Sequence, residues 1–153
     1  LQWQNINRSL SNRLYHTGLS MSFFIKPFEH RKEIQLALAA NNQRTVVCYC
    51  AAWCRTCDSY LDAFKDLSEK FPEQVFLWVD IEDEEYLLDD LDVENFPTIL
   101  IQEAGKNLFF GTMLPYIGHL DRMILNTQDG HVVGSDEGPS PITELLEQAS
   151  ESL

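Results

Sequence analysis

The sequence predicts an α/β fold: a sheet layered between helices, with a hairpin at one edge and an extra helix behind. Three observations lead there. Strand-like and helix-periodic segments follow one another in the order helix, strand, helix, strand, helix, strand, strand, helix. The last two strands are separated by little more than the turn Ala104-Gly105-Lys106. A C-x-x-C pair, Cys54 and Cys57, stands between a β-branched run and an amphipathic helical pattern.

Taken in order, residues 1–20 read as a polar, poorly ordered lead-in appended to a chain whose native start is Met21, with an organelle presequence as the alternative. Residues 21–153 then form one domain, long enough to bury a core. Met21 to Phe28 carries Phe23, Phe24 and Ile25 and suits a short strand or packing segment. Glu29 to Asn41 places Ile34, Ala37 and Leu38 at helical spacing, with Asn41-Asn42 as a stop. Thr45 to Ala51 is a buried strand by its β-branched and aromatic content.

From Cys54 to Phe71, the residues Cys57, Tyr60, Leu61, Phe64, Leu67 and Phe71 repeat along one helix face, and Pro72 ends the helix. Val75 to Ile81 is a strand, and Glu82 to Leu91 a short acidic helix. Thr98 to Gln102 and Asn107 to Gly111 form the hairpin, and Pro115 to Leu125 a helix. Asp129 to Pro141 is a loop. Ser140 is the expected N-cap of a closing helix over 142–151, with Pro141 at its first position.

A formal net charge of −13 argues against nucleic acid or an anionic membrane as partner, favours solubility and leaves basic protein partners open. No apolar run approaches the roughly 18–20 residues that span a bilayer. The four cysteines all lie between positions 48 and 57, which suggests a site rather than a set of staples between distant loops. With no secretory signal visible, the cytoplasm is the expected compartment, or the periplasm or an organelle if an export signal was removed.

A helix that starts near Cys54 aims its free N–H groups at that sulfur and favours the thiolate, and Arg55 acts in the same direction. Cys57 follows one turn later. The spacing suits two-step exchange, in which Cys54 attacks a substrate disulfide and Cys57 resolves the mixed disulfide. C-x-x-C also occurs at zinc sites and as plain structure. Cys48 and Cys50 alternate onto one strand face and are too extended to bond each other, so they read as small core residues. The sharper alternative is a four-thiolate zinc site of Cys48, Cys50, Cys54 and Cys57.

Trp53-Cys54-Arg55-Thr56-Cys57, then Phe96-Pro97-Thr98, then Gly111 beyond the hairpin together resemble the thioredoxin superfamily over residues 29 to 126. The resemblance implies a thioredoxin-like fold: a central mixed sheet flanked by helices, here with an extra C-terminal helix. It implies a cis bond before Pro97, beside the active-site sulfur. It also implies a groove for extended protein substrates walled by Trp53, Phe96, Pro97, Gly111 and Thr112, with backbone pairing at the residue before the proline. The redox centre would be the Cys54–Cys57 disulfide itself, with no other cofactor and no metal.

Several positions depart from that pattern. Arg55-Thr56 replaces the Gly-Pro of ordinary thioredoxins, which favours the thiolate and a more oxidising couple. Cys48 stands where the family has a buried Asp that moves the proton of the resolving thiol, and a thiol is a poorer base. Trp78 occupies the place of a lysine, and Asp62 that of a helix-kinking proline. Nine of the fifteen residues from Asp80 to Glu94 are acidic, either a solvated face or a field near Pro97 that selects basic partners. The expected activity is thiol–disulfide exchange with disulfide or dithiol protein substrates. The alternatives are an adaptor module with little turnover and a zinc module.

Overall fold

The computed structural model describes residues 22–40, 44–134 and 137–151. The lead-in over 1–20, the start at Met21 and the Asn41-Asn42 stop lie outside the described residues. Five strands make one mixed sheet: β1 (Phe23–Ile25), β2 (Arg44–Cys50), β3 (Val75–Asp80), β4 (Thr98–Glu103) and β5 (Lys106–Thr112). Their order across the sheet is β1-β3-β2-β4-β5. The β1/β3 and β3/β2 pairs are parallel, while β4 runs antiparallel to both β2 and β5. Among the described residues, four helices cover the sheet: α1 (Arg31–Ala40), α2 (Arg55–Lys70), α3 (Ile117–Asn126) and α4 (Ile142–Glu151).

Strand alternation sorts the core into two layers. One layer takes Val46, Cys48 and Cys50 from β2 with Phe76, Ile99 and Ile101, and meets α2 and α3 through Cys57, Tyr60, Phe64, Leu67, Leu120 and Ile124. The other takes Val47, Tyr49, Leu77, Val79 and Leu100, and meets α1 and α4 through Ile34, Leu38, Leu145 and Leu146. Phe64, fully buried, gathers the first layer, with ring centroids 5.2 Å from Phe76, 5.8 Å from Trp78 and 6.1 Å from Phe23. Trp78, expected where the family has a lysine, is thus part of the packing around Phe64. The helix carrying Asp62 runs unbroken from Arg55 to Lys70.

The hairpin turn closes on Ala104 and Gly105, both with positive φ (51° and 82°), as a two-residue turn matched to strand twist requires. Two expectations change. The acidic stretch after β3 forms no α-helix. Only a 3-10 turn, Glu85–Leu88, forms there. Asp80 competes with helix pairing, because its carboxylate accepts the Glu82 N–H and its carbonyl accepts from Asp83 and Glu84. Ser140 does not cap α4 either. Its hydroxyl donates to Asp89 Oδ2 at 2.7 Å, and the Ile142 N–H is instead taken by Gln102 Oε1 at 3.1 Å.

Arg44, 5% exposed, clamps the end of α3 to the start of β2. Its guanidinium donates to the carbonyls of Ile124 and Thr127, to Thr127 Oγ1, to Gln74 Oε1 and to Glu103 Oε1. It thereby adds a charged donor to the last carbonyls of the helix, which also accept from the Thr127 and Gly130 N–H groups, and places a cation at the negative end of the helix dipole. Arg44→Met is expected to lower stability in urea denaturation by about 3 kcal/mol or more. Lys70→Ala, which breaks an exposed pair with Asp121, should cost less than about 1 kcal/mol. Equal losses would refute the special weight of the Arg44 clamp.

Candidate active site

The site forms where β2 runs out and α2 begins. All seven residues of β2 are buried, and the strand is paired on both edges. The chain leaves it through Ala51, turns with Cys54 N–H donating to Ala51 O at 3.0 Å, and enters α2 with Cys54 at the N-cap in extended conformation. Ala52 and Trp53 project outward, and Trp53 is 68% exposed. Cys54 is half-buried and packs against the layer that contains Cys48, Cys50 and Cys57.

The structure joins Cys57 to Cys50, with Cα atoms 5.9 Å apart, and leaves Cys54 and Cys48 as free thiols. The couple expected from the motif was Cys54–Cys57, and Cys50 was expected to be a plain core residue. The reason for the difference is geometric. Alternation turns Cys50 toward α2, and Cys57, one turn into that helix, faces the sheet within disulfide reach of it. Cys54, at the helix start, stays at the rim. Cys48 and Cys50 do not bond each other, and their sulfurs lie 3.9 Å apart. A four-thiolate zinc site would need all four sulfurs as ligands, but two of them are bonded to each other. Among the described residues no cluster of three or more His, Cys, Asp or Glu is placed to hold a metal ion.

The residues expected to wall the substrate groove fall into two groups. Trp53 meets Phe96 edge to face, with ring centroids 5.6 Å apart. The Phe96–Pro97 bond is cis, and Pro97 O accepts the Met113 N–H at 3.1 Å. No described residue hydrogen-bonds the Phe96 N–H or C=O. Phe96, Met113 and Ile117 pack against the cysteine layer. Gly111 pairs with Ile99, and Thr112 with Thr98, at the end of the hairpin. These two line a shallow groove together with Asp92, Glu94 and Asn95. The acidic run therefore reaches the end of the hairpin, at Thr98 and Thr112.

Burial raises the Cys48 thiol well above its ordinary value, and with no ionised group at hand it stays protonated. Tyr60, one turn beyond Cys57 on α2, is likewise raised, by burial first and by Cys48 second. Its hydroxyl is buried and finds no partner among the described residues. Arg55 is exposed at the start of α2, beside Cys54. Within the acidic run, Ser140 holds the Asp89 carboxyl below its usual value, while burial raises Glu84 despite its bond from Phe28 N–H. Reading the motif alone missed Cys50. Its signal was present in the strand period, which turns positions 48 and 50 toward the helix that starts a few residues later.

The thioredoxin family model matches residues 27–113. Thioredoxin of Homo sapiens is 32% identical over 85 residues, which cover 55% of this chain and 81% of that protein. A thioredoxin H-type protein of Picea mariana is 37% identical over 73 residues, covering 47% of this chain and 58% of that one. Among solved structures, a chain of the complex of ferredoxin:thioredoxin reductase and thioredoxin f2 superposes with TM-score 0.58 at 22% identity, over 70% of this chain and 96% of that one. Thioredoxin f from spinach chloroplast superposes with TM-score 0.57 at 18% identity, over 70% of this chain and 87% of that one. The structural likeness fits the mixed sheet and its helices, the sequence likeness covers the cysteine segment and the cis proline, and the chain belongs to the thioredoxin family.

Proposed function

We propose that this protein is a thiol–disulfide oxidoreductase that acts on extended segments of protein substrates through Cys54. The observation that carries the reading is the placement of Cys54. It is the half-buried sulfur of the cluster, at the start of a helix, beside the Trp53–Phe96 wall and one turn from Cys57. A substrate strand laid along Phe96 would find an unpaired peptide N–H and C=O there, the elements of strand addition. Backbone pairing of that kind reads little sequence, so affinity would be spread over many substrates. Asp92 and Glu94 beside the hairpin end would favour substrates with basic side chains.

In the reaction, Cys54 thiolate attacks one sulfur of the substrate disulfide. The bond between the two substrate sulfurs breaks, and one leaves as a thiolate. Cys57, when reduced, attacks the Cys54 sulfur of the mixed disulfide and releases the second substrate thiol. The cysteines are themselves the redox centre. The absence of a carboxylate at position 48 leaves the proton of Cys57 to water or to a neighbouring side chain, and this should make resolution slower than attack.

Two measurements check this reading. Wild-type protein supplied with dithiothreitol should accelerate insulin reduction, and Cys54→Ser should lose at least 100-fold of that rate, roughly 3 kcal/mol of barrier. Retention of activity in Cys54→Ser would overturn the assignment, and an inactive wild type with an intact fold would favour the adaptor reading. A brief iodoacetamide pulse on the native oxidised protein should label Cys54 and spare Cys48, which is fully buried. Cys48 should react only after denaturation, and equal labelling rates for the two thiols would contradict its burial.

A further inference from the structure

Cys57 is bonded to Cys50 and stands one helical turn beyond Cys54, which packs against the same layer, and the two neighbours differ in what they face. Cys50 is 1% exposed and Cys57 3% exposed, so their disulfide lies inside the layer between sheet and α2. A folded-protein substrate cannot enter that layer. Cys54 packs against the same layer and is open to solvent on its other side. It is the thiol that borders both the buried disulfide and the outside.

We propose that Cys50 is a third redox cysteine, and that Cys57 passes its disulfide bond back and forth between Cys50 in the core and Cys54 at the surface. The exchange is internal and balanced. Cys54 thiolate attacks the Cys57 sulfur; the Cys54–Cys57 bond forms as the Cys50–Cys57 bond breaks, and the electron pair leaves on the Cys50 sulfur. The proton given up by Cys54 ends on Cys50. One disulfide and one thiol stand on each side of the equation, so no oxidant or reductant is consumed.

The arrangement around the departing sulfur suits this step. Cys50 in the disulfide carries no proton, so in the 3.9 Å contact between Cys48 and Cys50 the donor is the Cys48 S–H. A donor is thus already aimed at the sulfur on which charge develops, and no described carboxylate is buried in that layer. Burial keeps that thiol protonated. In the opposite direction Cys50 retrieves Cys57 and leaves Cys54 free, the form seen in the structure. The oxidising equivalent then sits where external thiols do not reach it, and it is delivered only through Cys54.

This rests on the proposed exchange activity of Cys54, and the test separates the two. Chymotrypsin cuts after Tyr49, Trp53 and Tyr60, so a Cys50–Cys57 bond joins peptides 50–53 and 54–60, whereas a Cys54–Cys57 bond closes within 54–60. Reduced wild-type protein is given one equivalent of diamide, quenched at intervals with acid and N-ethylmaleimide, and mapped by mass spectrometry. The internal 54–60 disulfide should form first and convert into the joined peptides at constant total disulfide. In Cys54→Ser the joined peptides should form at least tenfold more slowly and, once formed, resist dithiothreitol under native conditions.

Persistence of the 54–60 disulfide without conversion would overturn the proposal. So would joined peptides that form as fast in Cys54→Ser as in wild type. Insulin turnover without joined peptides sinks the internal exchange and leaves the proposed function standing. Conversion without insulin turnover does the reverse.

Discussion

Strand β2 sits at the centre of the sheet, buried on both faces and hydrogen-bonded along both edges. A residue on it has no freedom to move outward, and its side chain goes to one layer or the other by parity alone. Three features of the molecule follow from that confinement. Val47 and Tyr49 support the α1 and α4 layer, where the Tyr49 hydroxyl donates to Leu87 O at 2.8 Å. Val46, Cys48 and Cys50 face α2. The loop that follows β2 has nowhere to go but over its end, which places Cys54 at the mouth of the layer where Cys50 and Cys57 meet.

The chemistry of the site is set by sulfur in places where charge would otherwise sit. A carboxylate at position 48 would pull protons and repel a neighbouring thiolate. A neutral thiol does neither, and it serves as a donor to the sulfur two residues on. The acidic residues nearest the site stand outside that layer, in the segment between β3 and β4 beside the end of the hairpin. Around the cysteines the layer holds apolar side chains, sulfur and the Tyr60 hydroxyl, and the buried charge of Arg44 lies at the other end of β2. Arg55, Asp92 and Glu94 are exposed to solvent, where salt screens their fields beyond about 10 Å.

Much of this was legible in the chain. The elements around β2 through α2 announce themselves by period, because β2 is uniformly buried and α2 carries one long apolar stripe. The turn at Ala104-Gly105 and the motif Phe96-Pro97-Thr98 were equally plain. What escaped were partnerships over distance. Asp80 folds the following acids into a turn, which composition alone cannot reveal. Gln102 caps α4 across forty residues of chain, so Ser140, the local candidate, is free to bind Asp89. The choice of Cys50 over Cys54 is of the same kind. A motif ranks sulfurs by spacing along the chain, whereas the fold ranks them by which face they share.

That choice also has a statistical side. Cys57 and Cys50 are seven residues apart, and Cys57 and Cys54 only three. For an ideal flexible chain, closing the longer loop costs about 0.7 kcal/mol more, so a random coil would pair Cys57 with Cys54 roughly threefold more often. Only a formed β2/α2 contact reverses the odds. A Cys50–Cys57 bond is therefore a sign that the sheet and its helix are docked, whereas a Cys54–Cys57 bond is compatible with a docked or an undocked chain.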